Sequence, residues 1–317
     1  EECENLLKEW FGCEVVLMAS GRSGIHAFLQ TEKFHRYKHK FEVPPYLSRC
    51  IINALTASTF PVEYPVNGHG IFYYHQFGFP QRFKPDVNEI VLEDIAHSFF
   101  ATEYTGKREW CGKVAVFSLS KFFATNGLVG GLVIPDRITA EKIRNYIKEK
   151  SINTENLQNW TREILFDFYK SDDKSNLWID SAFEILLKML CPDPKNICGF
   201  PESITEIVRI GENRKEKIDF FREFFKEKAF RNDFWFPDEH LIPFAMPYFG
   251  NGNLNSLENI NSALEENNVK AGIYNIDVNR NSRDSNYKPC VLMPSHQEIT
   301  MEEFEKTCRI VQENEKS

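Results

Sequence analysis

Short apolar runs recur through the first 136 residues: "CEVVLMAS" (13–20), "FEVPPY", "PVEYPV", "GIFYYHQFG", "EIVLED", "VAVFSLS" and "GLVI". Between them lie stretches with helical periodicity, among them "GIHAFLQTEKF" (24–34) and "LSRCIINALTAS" (47–58). Short apolar strands alternating with helices argue for an α/β domain whose mostly parallel sheet is buried on both faces. Ligands of such sheets bind at the carboxyl ends of the strands. The residues just beyond each run are therefore where chemistry is expected.

After about residue 136 the pattern changes to longer amphipathic helices: "ITAEKIRNYIKEK", "TENLQNWTREILFDFYKS" and "ESITEIVRIGENRKEKIDFFREFFKEKAF". Capping-box spacing marks two helix starts, Ser203 with Glu206 and Thr300 with Glu303. We expect a large domain over residues 1–175 and a smaller α+β C-terminal domain over 176–317. "DDKSNLW" (172–178) and "CPDPKNICGFPES" (191–203) read as linkers or surface loops.

Composition narrows the function classes. The 38 basic and 46 acidic residues give a net charge of −8 with no block of like charge, which disfavours bulk nucleic-acid binding. The first residues lack the basic-then-apolar order of a signal peptide, and no apolar run approaches membrane-spanning length, so a cytoplasmic protein is expected. Eight scattered cysteines without a C-x-x-C pair suggest reduced, mostly buried thiols, and no metal site is expected. Neither H-E-x-x-H nor a P-loop occurs, and "GRSGI" has Ile25 where a hydrolase elbow needs glycine.

Three features converge. "SGRSG" is a glycine-containing turn that opens a helix, where backbone N–H groups and the helix dipole favour an anion, and Arg22 adds charge. In "IVLEDIAHS" an apolar run ends at Asp94, with Glu93 before it and His97 one turn on. A buried strand-end carboxylate favours a cationic partner, although a helix cap or surface acid has the same pattern. In "VAVFSLSKFFATNGLVGG" (114–131) Lys121 stands in an apolar, small-residue run, with Ser118 and Ser120 beside it. An apolar pocket lowers a lysine pKa and makes the amine a nucleophile, whereas a lysine snorkelling to solvent does no chemistry. A phosphate turn, a strand-end aspartate and a lysine, in that order, are the parts that pyridoxal 5′-phosphate (PLP) needs.

The chain resembles the fold-type-I PLP enzymes, and within them the nucleotide-sugar aminotransferases of the DegT/StrS-like group. The resemblance is carried by "SGRSGIHAFL", "FEVPPYLSRCIINALTASTFPVEYPV", "HQFGFP", "VLEDIAHSFFATEYTGK", "GKVAVFSLSKFFATNGLVGGLVI" and "VLMPSHQEITMEEFEKTCRIV". It implies that Asp94 pairs with the pyridinium nitrogen and that His97 lies by the ring or its phenolic oxygen. It also implies that Gly21, Arg22, Ser23 and Ser118 bind the phosphate and that Lys121 is the Schiff-base lysine. Tyr46 or Ser48 falls where the family often places an aromatic residue stacked on the cofactor.

The chain departs from the family at several points. The family lysine usually follows the equivalent serine by five residues; here Lys121 follows Ser118 by three and Phe123 takes the expected place. Arg22 replaces a small residue, and the region around "PVNGHGIFYY" is contracted. The resemblance implies amination of a keto group on a nucleotide-linked sugar with glutamate as donor, in a homodimer, for cell-surface polysaccharide or secondary-metabolite synthesis. Two alternatives stay open: a fold-type-I enzyme of another reaction, and a non-catalytic relative acting as a binding or assembly subunit. Arg280 and Lys288, in the expected substrate-facing stretch 268–290, are candidate diphosphate contacts, but solvated loop charges read the same way.

Overall fold

The computed structural model describes residues 2–64, 68–86, 90–101, 111–150, 155–170, 178–226, 234–236, 239 and 241–315. Most of the expected linker 172–178, and part of the "VLEDIAHSFFATEYTGK" block, lie outside them. Two compact units divide the chain: Glu1–Tyr73 with Pro85–Ala96 and Gly106–Phe200, and Tyr74–Lys84 with His97–Thr105 and Pro201–Ser317.

The first unit runs α1 (Glu2–Phe11), β1 (Glu14–Met18), α2 (Gly21–Thr31), β2 (Lys40–Val43), α3 (Arg49–Thr56), β3 (Phe60–Glu63), β4 (Gly70–Tyr74), β5 (Val91–Asp94), β6 (Val114–Ser118) and β7 (Gly130–Ile134). Four helices follow: α4 (Arg137–Lys150), α5 (Glu155–Lys170), α6 (Ile179–Lys188) and the short α7 (Pro194–Ile197). The seven strands form one sheet in the order β1-β7-β6-β5-β4-β2-β3. β5 and β7 are buried at every position, as near-continuous apolar runs require. β3 is a half-exposed edge, where Pro61 is tolerated because the outer side has no ladder to break.

β7 is antiparallel to both β1 and β6, while β5 pairs with β6 in parallel. β1, β5 and β6 therefore point the same way, and their carboxyl ends, Met18, Asp94 and Ser118, share one margin of the sheet. This is the mostly parallel α/β architecture expected.

The expected boundary at 175/176 does not coincide with the division into units. α6 packs on α2, α3 and α5, and Ile179, Ala182, Phe183 and Leu186 share a core with Ala19, Ile164 and Leu165. That apolar face keeps the chain in the first unit up to Phe200.

The second unit contains α8 (Ile204–Phe225), β8 (Ala245–Tyr248), α9 (Leu254–Glu266), β9 (Ile273–Asp277), β10 (Tyr287–Pro294) and α10 (Met301–Asn314). Its antiparallel sheet, β8-β10-β9, packs with the helices around Phe221, Trp235, Leu257, Met293 and Phe304. Both expected helix caps form: the Ser203 hydroxyl accepts the Glu206 N–H, and Thr300 with Glu303 makes the full reciprocal box.

Two expectations need correction. Only Cys290 and Cys308 are buried; the other six cysteines are half-buried or exposed, because they fall at element ends and in connections, and none forms a disulfide. Arg280 is not a solvated loop charge. It is 5% exposed, its Nη1 donates to both Glu239 oxygens at 2.8 Å, and its Nε donates to the Pro80 carbonyl. Lys288 is exposed.

Candidate active site

The margin where β1, β5 and β6 end carries the candidate residues of the first unit. α2 begins three residues after β1. Ser20 caps it by accepting the Ser23 N–H at 3.2 Å, and the Ser20 carbonyl accepts the Gly24 N–H. The first-turn N–H groups of Gly21 and Arg22 have no intrahelical acceptor by helix geometry, which is what an anion site requires. Ser23 has a different part. It is fully buried, and its hydroxyl lies 2.9 Å from Ser20 Oγ and donates to the Leu186 carbonyl at 2.8 Å. Its side chain is thus committed within the turn. The Arg22 guanidinium lies over the Phe183 ring, and its Nη1 is buried without a hydrogen-bond partner.

At the end of β5, Asp94 is 4% exposed, and its Oδ1 accepts the Ala96 N–H at 2.8 Å. Burial pushes its carboxyl up to about 6, against the pull of that N–H and of Lys121. Strand alternation turns Glu93 to the other face, where it accepts the Gly112 N–H.

β6 ends at Ser118, whose hydroxyl is 3.2 Å from that of Ser120, and a single 3₁₀ turn, Leu119–Lys121, follows. Lys121 is exposed as a residue, yet its ammonium is partly desolvated. Loss of hydration there holds its ammonium below the ordinary lysine value; Cys50 and Asp94 oppose that shift and Arg22 adds to it. Phe123, at the family's usual lysine position, is 4% exposed and packs edge-on against Phe200 at 4.9 Å. A side chain at 123 therefore enters the core, whereas Lys121 in the turn before it is exposed.

Ser48 precedes α3, with its hydroxyl 3.2 Å from Cys50 Sγ and thus beside a group that acts on Lys121. Tyr46 is 65% exposed, adopts φ +57°, and lines an open groove with Tyr37, Pro44, Ile52 and Phe60. A non-glycine residue held at positive φ is strained and uncommon. His97 belongs to the second unit. Its ring is stacked between Phe77, at 5.7 Å, and Phe244, at 4.6 Å, with Tyr74 Oη 3.5 Å from Nδ1. Both faces of the imidazole are filled, so it can meet another group only through its edge.

The sequence reading missed Cys50 and the Leu186 carbonyl, since no spacing ties either to Lys121 or to the phosphate turn. Among the described residues no group of three or more histidine, cysteine or acidic side chains could hold a metal, and no helix is long and apolar enough to cross a membrane.

The chain resembles several solved structures over nearly its whole length. A DegT DnrJ EryC1 StrS aminotransferase from Brucella abortus matches at 14% identity and a TM-score of 0.63, with 98% of this chain and 89% of that one covered. PseC from Helicobacter pylori, an aminotransferase of pseudoaminic acid biosynthesis, matches at 14% identity and 0.61, covering 99% and 90%. The sugar aminotransferase CalS13 from Micromonospora echinospora matches at 14% and 0.62, covering 98% and 90%. No curated protein matches the chain in sequence. The family described as "Putative PLP-dependent aminotransferase" matches residues 10–245, about three quarters of the length, and the chain belongs to this family of PLP-dependent aminotransferases.

Proposed function

We propose that the protein transfers an amino group from glutamate to a keto group on a nucleotide-linked sugar. Support for the sugar comes from the solved structure of CalS13, described as a sugar aminotransferase. The observation that carries the site is the unpartnered, buried Nη1 of Arg22, whose guanidinium acts with the buried Asp94 on Lys121. An orphaned buried donor is costly unless a ligand completes it, and the donor set fits the three polar ends of PLP.

In this reading the Gly21 and Arg22 N–H groups, the Arg22 guanidinium and the Ser118 hydroxyl would hold the phosphate. Asp94 would pair with the ring nitrogen. Bound PLP supplies an electrophilic aldehyde and a ring that takes up electron density. Lys121 Nζ, its ammonium held below the ordinary lysine value by desolvation, would attack a carbonyl and then give and take a proton at the substrate carbon. An ionised Asp94 would favour a proton on the ring nitrogen, and with a cation beside it would lose part of the upward shift that burial gives it.

The test is the visible spectrum of the protein mixed with PLP, before and after borohydride, beside Lys121→Ala. We expect a yellow band that borohydride fixes to the chain, its loss in the variant, and at least about a 10³-fold fall in amino transfer. A wild type with no band loses the assignment of Lys121. A band without transfer from glutamate to any member of a nucleotide keto-sugar panel overturns the substrate assignment and leaves another PLP reaction.

A further inference from the structure

The proline-bearing stretch after α6, which reads in the sequence as a surface loop, holds both walls of the candidate site. Just before it, in the last turns of α6, the Leu186 carbonyl accepts the Ser23 hydroxyl, and between that helix and the prolines the Leu190 carbonyl accepts the Ala19 N–H at 3.3 Å. These bonds fasten the turn that carries Arg22. Further on, the same stretch grips the loop that follows Lys121. The Asn196 carbonyl accepts the Asn126 N–H at 3.1 Å, the Lys195 carbonyl accepts Asn126 Nδ2 at 3.3 Å, and Phe200 packs on Phe123.

The grip is tight. Gly199 has φ +91°, and a Cβ there would lie 2.0 Å from the Ala124 carbonyl oxygen. A Cβ on Gly127 would lie 2.5 Å from Asn196 Oδ1. Within the stretch, Asp193 caps α7 through the Lys195 N–H, and the Asn196 N–H returns to the Asp193 carbonyl. Few degrees of freedom remain between the two anchor points.

We propose that residues 186–200 form a strap that sets the distance between the Arg22 turn and the Lys121 turn, with Asn196 and Gly199 as positioning residues. The idea rests on the reading of Lys121 given above, but its test does not need bound cofactor. The strap keeps Lys121 within reach of the Arg22 charge and partly desolvated, and both influences fade if the loop shifts.

The experiment measures the pH dependence of Lys121 acetylation by trace acetic anhydride in the full-length, cofactor-free chain, read by peptide mass spectrometry. Melting temperatures are recorded beside it, and PLP affinity is measured separately. Gly199→Ala, whose Cβ meets the Ala124 carbonyl oxygen and whose backbone is held at positive φ, should shift the loop after Lys121, move the titration of Lys121 toward that of an ordinary lysine, lower its reactivity at pH 7 about tenfold, and weaken PLP binding by a similar factor. Gly127→Ala meets only the Asn196 amide, which can swing aside, and should leave both readings near wild type. An unchanged Lys121 titration in Gly199→Ala, or an equal shift in Gly127→Ala, overturns the strap. Failure of the borohydride test with a passing titration would reject the cofactor assignment alone.

Discussion

Asp94 makes the cofactor-free protein less stable than it could be. Its carboxyl titrates near 3.8 in the unfolded chain and about 6 when buried. Between those values the folded state keeps a proton that the unfolded state has lost, so stability falls as pH rises through the window and stays lower above it. A shift of about two units corresponds to roughly 3 kcal/mol. Asp94→Asn keeps an acceptor for the Ala96 N–H and removes the charge. We expect calorimetry of the cofactor-free variant to show a higher Tm than wild type at pH 7.5 and the same Tm near pH 4, while its PLP affinity falls at least about tenfold. Equal gaps at both pH values would mean that the charge is not the source. Asp94 and Lys121 were legible because one closes, and the other follows by a single turn, a strand that the sequence displays as an apolar run. The commitment of Ser23 to Leu186, 163 residues away, is a tertiary bond that no local spacing encodes.

At the scale of elements, apolar runs and caps were readable and loops were not. The paired box at Thr300 and Glu303 is a local motif, and it forms as the spacing requires. The turn after β9 looks solvated in sequence because it is rich in Asn, Arg, Asp and Ser. In the structure Asp277 accepts the N–H groups of Asn279, Asn281 and Asn286, and Arg280 is drawn inward to Glu239. Glu239→Ala removes the carboxylate that takes Arg280 Nη1 in two bonds, and urea denaturation should show a loss of about 2 kcal/mol. This lies below the 3–5 kcal/mol of a fully buried pair because Glu239 retains some exposure. Lys288→Ala, at an exposed site, should stay within about 0.5 kcal/mol of wild type. Similar losses for both would show that the turn draws no stability from its buried pair.

For the whole molecule, the division into units was the least legible feature, since the second unit is discontinuous. A sequence reading looks for a cut between composition regimes, whereas this unit borrows Tyr74–Lys84 and His97–Thr105 from the earlier half. The loan is structural. Gln76 donates to the Asn275 carbonyl and accepts the Asp277 N–H, the Phe77 carbonyl accepts the Phe244 N–H, and Gln81 accepts both the N–H and the hydroxyl of Ser282. Phe79, 1% exposed, fills the core between Phe234 and Trp235. A chain cut to residues 201–317 has the helices and strands of this unit but lacks those partners, leaving a core with a phenylalanine-sized gap and several unpaired buried groups. Such defects cost several kcal/mol together, a large part of a domain's net stability. Trp235 is the single tryptophan of that fragment and is fully buried in the intact protein. We therefore expect the fragment to show solvent-shifted tryptophan emission and no cooperative urea transition, and a peptide of residues 74–84 to move the emission back toward the blue. Buried-type emission and a sigmoidal transition in the fragment alone would mean that residues 201–317 fold without the borrowed segments.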